Sequence, residues 1–197
     1  PFIHPLRPVT DPAPDALTAL REVNARIAKA AQGSRAATLI AVTKTVDAER
    51  IAPVIDAGHR HFGENRVQEA AEKRPLVTKT LRWELIGHLQ SNKARLAVQS
   101  FDRVQSVDSE KLINHLDRAA AEQGKTLPIL LQINSGNDPA KFGADPEAAG
   151  KLLEFAVSFQ ERGVGQLQLV CARAALFFQD EPRVPELLDH AAHRSLR

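Results

Sequence analysis

Short apolar segments alternate with amphipathic segments along this chain, and the alternation constrains the fold more than any other sequence feature. The apolar segments have the length and composition of buried strands. Each of the first five is followed by apolar residues at the three- and four-residue steps of a helix. The predicted strands lie at residues 38–44, 59–65, 82–87, 102–107, 128–134 and 165–170. Strand starts recur at roughly 20–25 residues, which is typical of β-α units in a parallel sheet.

Polar residues at the starts of the amphipathic segments predict helix caps. Asp47, Asn65, Ser91 and either Asp108 or Ser109 stand where such caps are expected, and an Asp-Pro pair at 145–146 predicts the start of a later helix.

Two folds satisfy this alternation, an open doubly wound sheet and a closed barrel. A glycine-rich phosphate loop of the G-x-G-x-x-G type does not follow the first predicted strand, and its absence favours the barrel. A complete (β/α)8 barrel of the TIM type has eight units and typically about 250 residues. We therefore expect an α/β chain with an incomplete barrel of about six of the eight β/α units.

Composition restricts the class of protein further. The 197 residues carry a net charge of +2, which gives no case for a nucleic-acid partner or an anionic membrane surface. Apolar runs stay well short of the ~20 residues that span a bilayer, and the first residues lack the pattern of a signal peptide. Cys171 is the single cysteine, as fits a reducing compartment. We expect a cytoplasmic protein with an extended, proline-rich leader at 1–13 and one domain at 14–197.

Lys44 ends the first predicted strand, directly before a predicted helix. In α/β folds, ligands bind at the carboxyl ends of the strands. Partial desolvation at such a position favours the neutral form of an amine, and a neutral amine can attack an aldehyde to form a Schiff base. The alternative from this strand alone is an ordinary solvated loop lysine.

Other polar side chains also gather where predicted strands end. They are Lys44, Glu64, Asn65, His88, Lys93, Asp108, Asn134 and Ser135. In a barrel these ends converge on one mouth, although loops are polar in any fold. His59 and His61 stand two residues apart and have the spacing to share one strand face, but we expect plain surface histidines here and not a metal site.

Three segments resemble motifs of one family. They are residues 41–45 (Ala-Val-Thr-Lys-Thr), 62–69 (Phe-Gly-Glu-Asn-Arg-Val-Gln-Glu) and 83–93 (Trp-Glu-Leu-Ile-Gly-His-Leu-Gln-Ser-Asn-Lys). On these motifs the chain is identified as similar to the pyridoxal phosphate homeostasis proteins, which resemble the N-terminal barrel of alanine racemase. The resemblance extends from about residue 13 to about residue 163.

The resemblance implies a fold-type-III pyridoxal phosphate barrel with pyridoxal 5'-phosphate as cofactor. It implies that Lys44 forms the Schiff base, that Asn65 lies near the cofactor, and that Lys141 makes a second, weaker cofactor contact. The family holds, buffers or delivers the cofactor inside the cell and has no known turnover. Full-length members are expected to be monomers.

The sequence departs from the family pattern at three places. Glu84 stands where the family often has histidine, which is expected to change the polarity of the pocket, and Val46 replaces a frequent second lysine. After residue 165 the chain diverges, so the family's phosphate-binding segments are missing and 166–197 resembles a truncated or frame-shifted tail. With two barrel units missing, we expect unpaired edges on the first and sixth strands, self-association and weakened cofactor binding.

Two alternatives to cofactor holding remain open. One is a racemase-type component, although racemisation in the related enzymes uses a lysine and a tyrosine, and the chain contains no tyrosine. The other is a defective fragment that binds little cofactor.

Overall fold

The computed structural model describes residues 15–32, 37–161 and 166–169. The predicted leader, Cys171 and the tail after residue 169 lie outside these ranges. Strands and helices alternate along the described chain, as the sequence predicts. The strands are β1 (Ala41–Val42), β2 (His61–Glu64), β3 (Arg82–Leu85), β4 (Arg103–Val107), β5 (Leu127–Leu131) and β6 (Leu167–Leu169). The helices are α1 (Ala16–Ala31), α2 (Ala48–Asp56), α3 (Val67–Lys73), α4 (Ala94–Ser100), α5 (Glu110–Glu122) and α6 (Ala149–Glu161).

The six strands form one parallel sheet in the order β1-β2-β3-β4-β5-β6, so each strand pairs with its successor in the chain. A doubly wound sheet reverses its strand order at a switch point, whereas a barrel keeps the sequential order. The incomplete barrel is therefore confirmed. Within the described residues, β1 and β6 are the two edges of the sheet.

Local sequence signals explain several helix ends. The Ser109 hydroxyl accepts a hydrogen bond from the Leu112 N–H and caps α5, and Gly124 ends that helix with a φ of 59°. The Asp145 carboxylate accepts from the Glu147 N–H ahead of a 3-10 turn that leads into α6. As predicted, the chain starts this helix at an Asp-Pro pair.

Two predicted helix caps, Asn65 and Ser91, are wrong, and a third, Asp47, is right in position but makes no capping hydrogen bond. Asn65 precedes the N-cap residue of α3, which is Arg66 and makes no side-chain cap. Asp47 is the N-cap residue of α2 but forms no capping hydrogen bond through its side chain. Ser91 lies inside a 3-10 turn, Ser91–Lys93, that precedes α4. Asn65 and Ser91 precede the observed N-cap residues, Arg66 and Lys93, by one and two positions, because a polar residue marks the end of a strand without fixing where the next helix begins.

The hydrophobic core lies between the sheet and the helices. From the strands it takes Phe62, Trp83, Leu85, Val104, Leu127, Ile129 and Leu167. From the helices it takes Ile51, Ile55, Val67, Ala70, Ala94, Ala97, Val98, Leu112, Ile113, Leu116, Leu152 and Ala156. Since side chains alternate along a strand, the residues between these strand positions lie on the opposite face, which is the interior side of a barrel and is called the inner face below.

The first predicted strand differs from its expected form. Only Ala41 and Val42 pair with β2, and Val42 is 51% exposed, so this segment is not buried on both faces. The reason is that β1 is an edge strand of the described sheet: β2 lies beside it on one side, and no described strand lies on the other. The helix α1 likewise has no fully buried residue, although its apolar stripe of Leu17, Leu20 and Val23 is half-buried. Among the described residues, no helix combines the length and apolarity needed to cross a bilayer.

Candidate functional site at the carboxyl ends of the strands

Lys44 and Asn65 lie at the same level of the sheet, just beyond the paired residues of β1 and β2. Val42 is in register with Gly63, and the Thr43 N–H donates to the Gly63 carbonyl at 3.0 Å. Two further residues along each strand bring Lys44 opposite Asn65. Strand alternation puts both on the inner face, because Thr43 and Glu64 meet on the helix side. Lys44 is exposed and Asn65 is half-buried.

A close backbone approach fixes the position of Asn65 from the other side. A Cβ atom added to Gly87 would lie 2.3 Å from the Asn65 carbonyl oxygen and 2.7 Å from its Cα. Only glycine permits the chain after β3 to pass so near. Two residues before Asn65 on the same face of β2, a Cβ atom added to Gly63 would lie 3.0 Å from the Ile40 side chain and 3.1 Å from the Ile86 side chain. These three residues give the inner face an apolar patch beside Lys44 and Asn65.

The backbone on both sides of Lys44 is held from the helix side by a cluster of Glu64, Glu69 and Lys73, which we call the loop clamp. Lys73 Nζ donates to the Thr43 carbonyl at 2.8 Å and to Glu64 Oε1 at 2.5 Å, and it lies 3.4 Å from Glu69 Oε1. The Thr43 hydroxyl donates to Glu64 Oε1 at 2.7 Å.

The expectation that Glu64 lies at the mouth is therefore wrong. Its side chain is fully buried between β2 and α3, because Phe62 and Glu64 share the helix-facing side of their strand. Sequence reasoning also missed Glu69 and Lys73. Their spacing along α3, at i and i+4, was the available signal for an ion pair.

Lys141 lies elsewhere on the same end of the sheet, in the loop that follows β5. Its amine pairs with the Asp138 carboxylate at 3.3 Å, and its side chain is 73% exposed. It also helps to line an open pocket of about 470 Å³ around the β5 loop. Lys141 follows β5, four strands along the sheet from β1, so it does not stand on a neighbouring strand to Lys44 or Asn65. The structure thus places Lys44 and Asn65 side by side, with Lys141 on another part of the same end of the sheet.

The loop after β5 contacts the ends of the middle strands through one aromatic pair. The His88 ring, after β3, stacks on the Phe142 ring with centroids 3.8 Å apart and planes 9° apart. His88 Nδ1 lies 3.5 Å from Asp108 Oδ2, beyond the end of β4. His88 and Asp108 were predicted to converge at the mouth, and they do. Phe142 was missed, because contacts made by a loop have no periodic signal in the sequence.

Glu84 lies on the inner face, two residues before the level of Asn65. It is 2% exposed, accepts a hydrogen bond from the Gln105 amide at 2.5 Å, and lies 3.5 Å from Arg103 and 3.7 Å from His61. The Glu84 carboxylate therefore has its polar partners on the neighbouring strands β2 and β4. His59 contacts the backbone carbonyl of His61. No group of three or more His, Cys, Asp and Glu side chains suited to a metal ion occurs in the part of the chain that the structure describes.

The fold and the site together define a class: an α/β chain built as part of a parallel β/α barrel, with an exposed lysine at the carboxyl-end mouth. The family model for the alanine racemase N-terminal domain matches residues 16–186. The pyridoxal phosphate homeostasis protein of Pseudomonas aeruginosa PAO1 is 36% identical over 183 residues, which cover 90% of this chain and 76% of that protein. The chain therefore belongs to the alanine racemase N-terminal domain family and, within it, to the pyridoxal phosphate homeostasis proteins, as its three motifs predict.

Further relatives agree with this placement. The pyridoxal phosphate homeostasis protein of Vibrio cholerae El Tor Inaba N16961 is 37% identical over 121 residues, which cover 59% of this chain and 51% of that protein. PipY of Synechococcus elongatus PCC7942, solved with PLP bound, is 38% identical with a TM-score of 0.61; the match covers 75% of this chain and 67% of PipY. The chain spans about half the length of the first curated relatives it matches.

Proposed function

We propose that this chain binds pyridoxal 5'-phosphate through Lys44 and serves to hold the cofactor within the cell. One observation carries the proposal: an exposed lysine lies at the carboxyl end of β1, level with Asn65 on the inner face of the sheet. Support comes from the relatives named as pyridoxal phosphate homeostasis proteins and from PipY, which was solved with PLP bound. The single cysteine of the sequence is in keeping with a reducing cytoplasm.

The residues present fit this cofactor. When bound, the cofactor supplies an aldehyde that forms a covalent bond with a neutral primary amine. Lys44 is exposed rather than partly desolvated as the sequence predicts, so its amine is accessible to the cofactor, whereas the neighbouring Lys73 is 6% exposed and its amine is bound within the loop clamp. The patch of Ile40, Gly63 and Ile86 is apolar, which suits contact with an aromatic ring.

Asn65 and Lys141 have supporting parts in this proposal. The Asn65 amide can donate and accept hydrogen bonds beside the cofactor. Lys141 contributes a second, weaker contact with the cofactor's anionic groups, and for this its ion pair with Asp138 must open. Exposed ion pairs of this kind contribute about 0–1 kcal/mol, so opening it costs little.

We propose that the chain holds the cofactor without turnover. Racemisation needs proton transfer by two bases on opposite sides of one carbon. A tyrosine, the usual partner of lysine in the related racemases, is absent from the sequence. Incubation of L-alanine with the protein and added cofactor should leave the optical rotation unchanged, and a protein-dependent loss of rotation would contradict this part of the proposal.

An absorbance titration with pyridoxal 5'-phosphate tests the proposal. The unmodified protein should develop the visible band of a lysine-bound cofactor, and Lys44→Ala should abolish it. Lys29→Ala is the matched control, since Lys29 lies exposed in the last turn of α1, ahead of the amino end of β1, and it should titrate like the unmodified protein. Asn65→Ala should keep the band and weaken binding about two- to tenfold, the range for one lost hydrogen bond. A band that survives in Lys44→Ala would refute the assignment.

A further inference from the structure

The two peptide groups that flank Lys44 are each held by a side chain of α3. The carbonyl of Thr43, on the N-terminal side, accepts a hydrogen bond from Lys73 Nζ at 2.8 Å. The N–H of Thr45, on the C-terminal side, donates to Glu69 Oε1. Neither contact belongs to the ladder between β1 and β2. The segment that carries Lys44 is therefore anchored to a helix as well as to a strand.

The turn that follows Lys44 needs such an anchor. Thr45 has a φ of 62°, in the left-handed region that β-branched residues rarely adopt. A conformation of this kind persists only where the surroundings determine it. The Thr45 hydroxyl donates to the Lys44 carbonyl at 2.6 Å, and its N–H is directed to Glu69. The carboxylate of Glu69 thus holds the residue at which the chain leaves the sheet.

The charges of the loop clamp are too deeply buried to be ordinary surface pairs. Glu64 is fully buried, Lys73 is 6% exposed, and the Glu69 side chain is 24% exposed. Moving two charges out of water has a desolvation cost that their mutual attraction only roughly offsets. A buried ion pair is therefore weak evidence for a role in stability alone. Here each of the three charged groups also contacts Thr43 or Thr45, the residues on either side of Lys44.

We propose that Glu69 and Lys73 are positioning residues for Lys44. They hold residues 43–45 in the turn that directs the Lys44 amine to the inner face beside Asn65. They contact the backbone of Thr43 and Thr45, on either side of the cofactor-binding lysine, and not the cofactor. Lys73 does not compete with Lys44 for the cofactor aldehyde, because its amine is already bound by Glu64 and Thr43. The inference rests on the proposed function of Lys44 and adds the residues that make this lysine available.

The test measures the rate at which pyridoxal 5'-phosphate attaches to Lys44. Samples are reduced with borohydride at timed intervals, and the modified fraction of the Lys44 peptide is read by mass spectrometry. Glu69→Ala removes the acceptor of the Thr45 N–H and should slow attachment about tenfold or more, as expected for the loss of a charge-assisted hydrogen bond. Glu69→Gln restores an acceptor oxygen and should recover most of the rate. Glu72→Gln, at an exposed position of the same helix, should attach cofactor at the unmodified rate.

Thermal melts of each variant, followed by circular dichroism, show whether the protein is folded at the assay temperature. If Glu69→Ala does not fold, Glu69→Asp replaces it, because the shorter side chain keeps the charge but withdraws from Thr45. A folded Glu69→Ala or Glu69→Asp that attaches cofactor at the unmodified rate overturns the positioning role while leaving the proposed function intact. Failure of the unmodified protein to attach cofactor at Lys44 refutes the proposed function and this inference with it.

Discussion

Replacing Lys73 by methionine should destabilise the protein far more than a typical helix substitution. The change keeps most of the length of the side chain but removes its charge, and it leaves Glu64, which is fully buried, without the partner at 2.5 Å. Breaking a buried ion pair from one side costs about 3–5 kcal/mol, because the remaining charge stays buried and uncompensated. The Thr43 carbonyl loses its side-chain donor as well. For a chain of this size, a loss of that order lowers the melting temperature by about 6–20 °C.

Urea denaturation followed by tryptophan fluorescence measures this loss, since Trp83 is the only tryptophan and lies in the core. A second variant, Glu64→Gln with Lys73→Met, separates the buried charge from other effects. The amide oxygen introduced by Glu64→Gln still accepts from the Thr43 hydroxyl, so the double variant should recover at least half of the lost free energy of unfolding. A loss of less than about 1 kcal/mol in Lys73→Met, or a double variant less stable than the single one, would refute the reasoning.

Three further outcomes follow from the structure. Gly87→Ala should lower the free energy of unfolding by about 1–3 kcal/mol because its methyl group would lie 2.3 Å from the Asn65 carbonyl oxygen. Gly136→Ala is the control, because a Cβ atom at Gly136 would have no neighbouring heavy atom within 4 Å. It should change the free energy of unfolding by less than about 0.5 kcal/mol in the same denaturation assay. Burial lowers the pKa of Lys125 below its usual 10.5. The unfolded chain then binds more protons between the lowered pKa and 10.5, so urea titrations should show the free energy of unfolding rising with pH in that window, and Lys125→Met should flatten the rise. We also expect self-association through β1, the edge strand of the described sheet, and Val42→Lys, at a residue that is 51% exposed, should reduce that association in light scattering; unchanged association would contradict this.

The sequence predicts the alternation of strands and helices and the location of the site because both follow from short-range patterns. Each apolar run is a strand, each amphipathic run is a helix, and regular alternation requires a parallel sheet. The carboxyl ends of such strands share one edge, so Lys44 and Asn65 had to be neighbours once their strands were neighbours. The resemblance to one family then favoured the barrel over the open sheet.

The remaining features depend on contacts between distant parts of the chain. Alternation shows that Phe62 and Glu64 share a strand face, but it does not show that a lysine on the next helix will neutralise Glu64 there. The exposure of Lys44 depends on which strands flank β1, and an apolar run has the same sequence at an edge as in the centre of a sheet. The stacking of His88 on Phe142 joins loops 54 residues apart, for which no local rule exists.

The most direct test of the account is the identity of the lysine that carries the cofactor. The protein is incubated with pyridoxal 5'-phosphate, reduced with borohydride, digested, and its peptides are sequenced by mass spectrometry. We expect one dominant modified site at Lys44, and in Lys44→Ala the loss of that modification without its transfer to another lysine. A dominant modification at Lys93 or Lys141 in the unmodified protein, or at the buried Lys73, would contradict it.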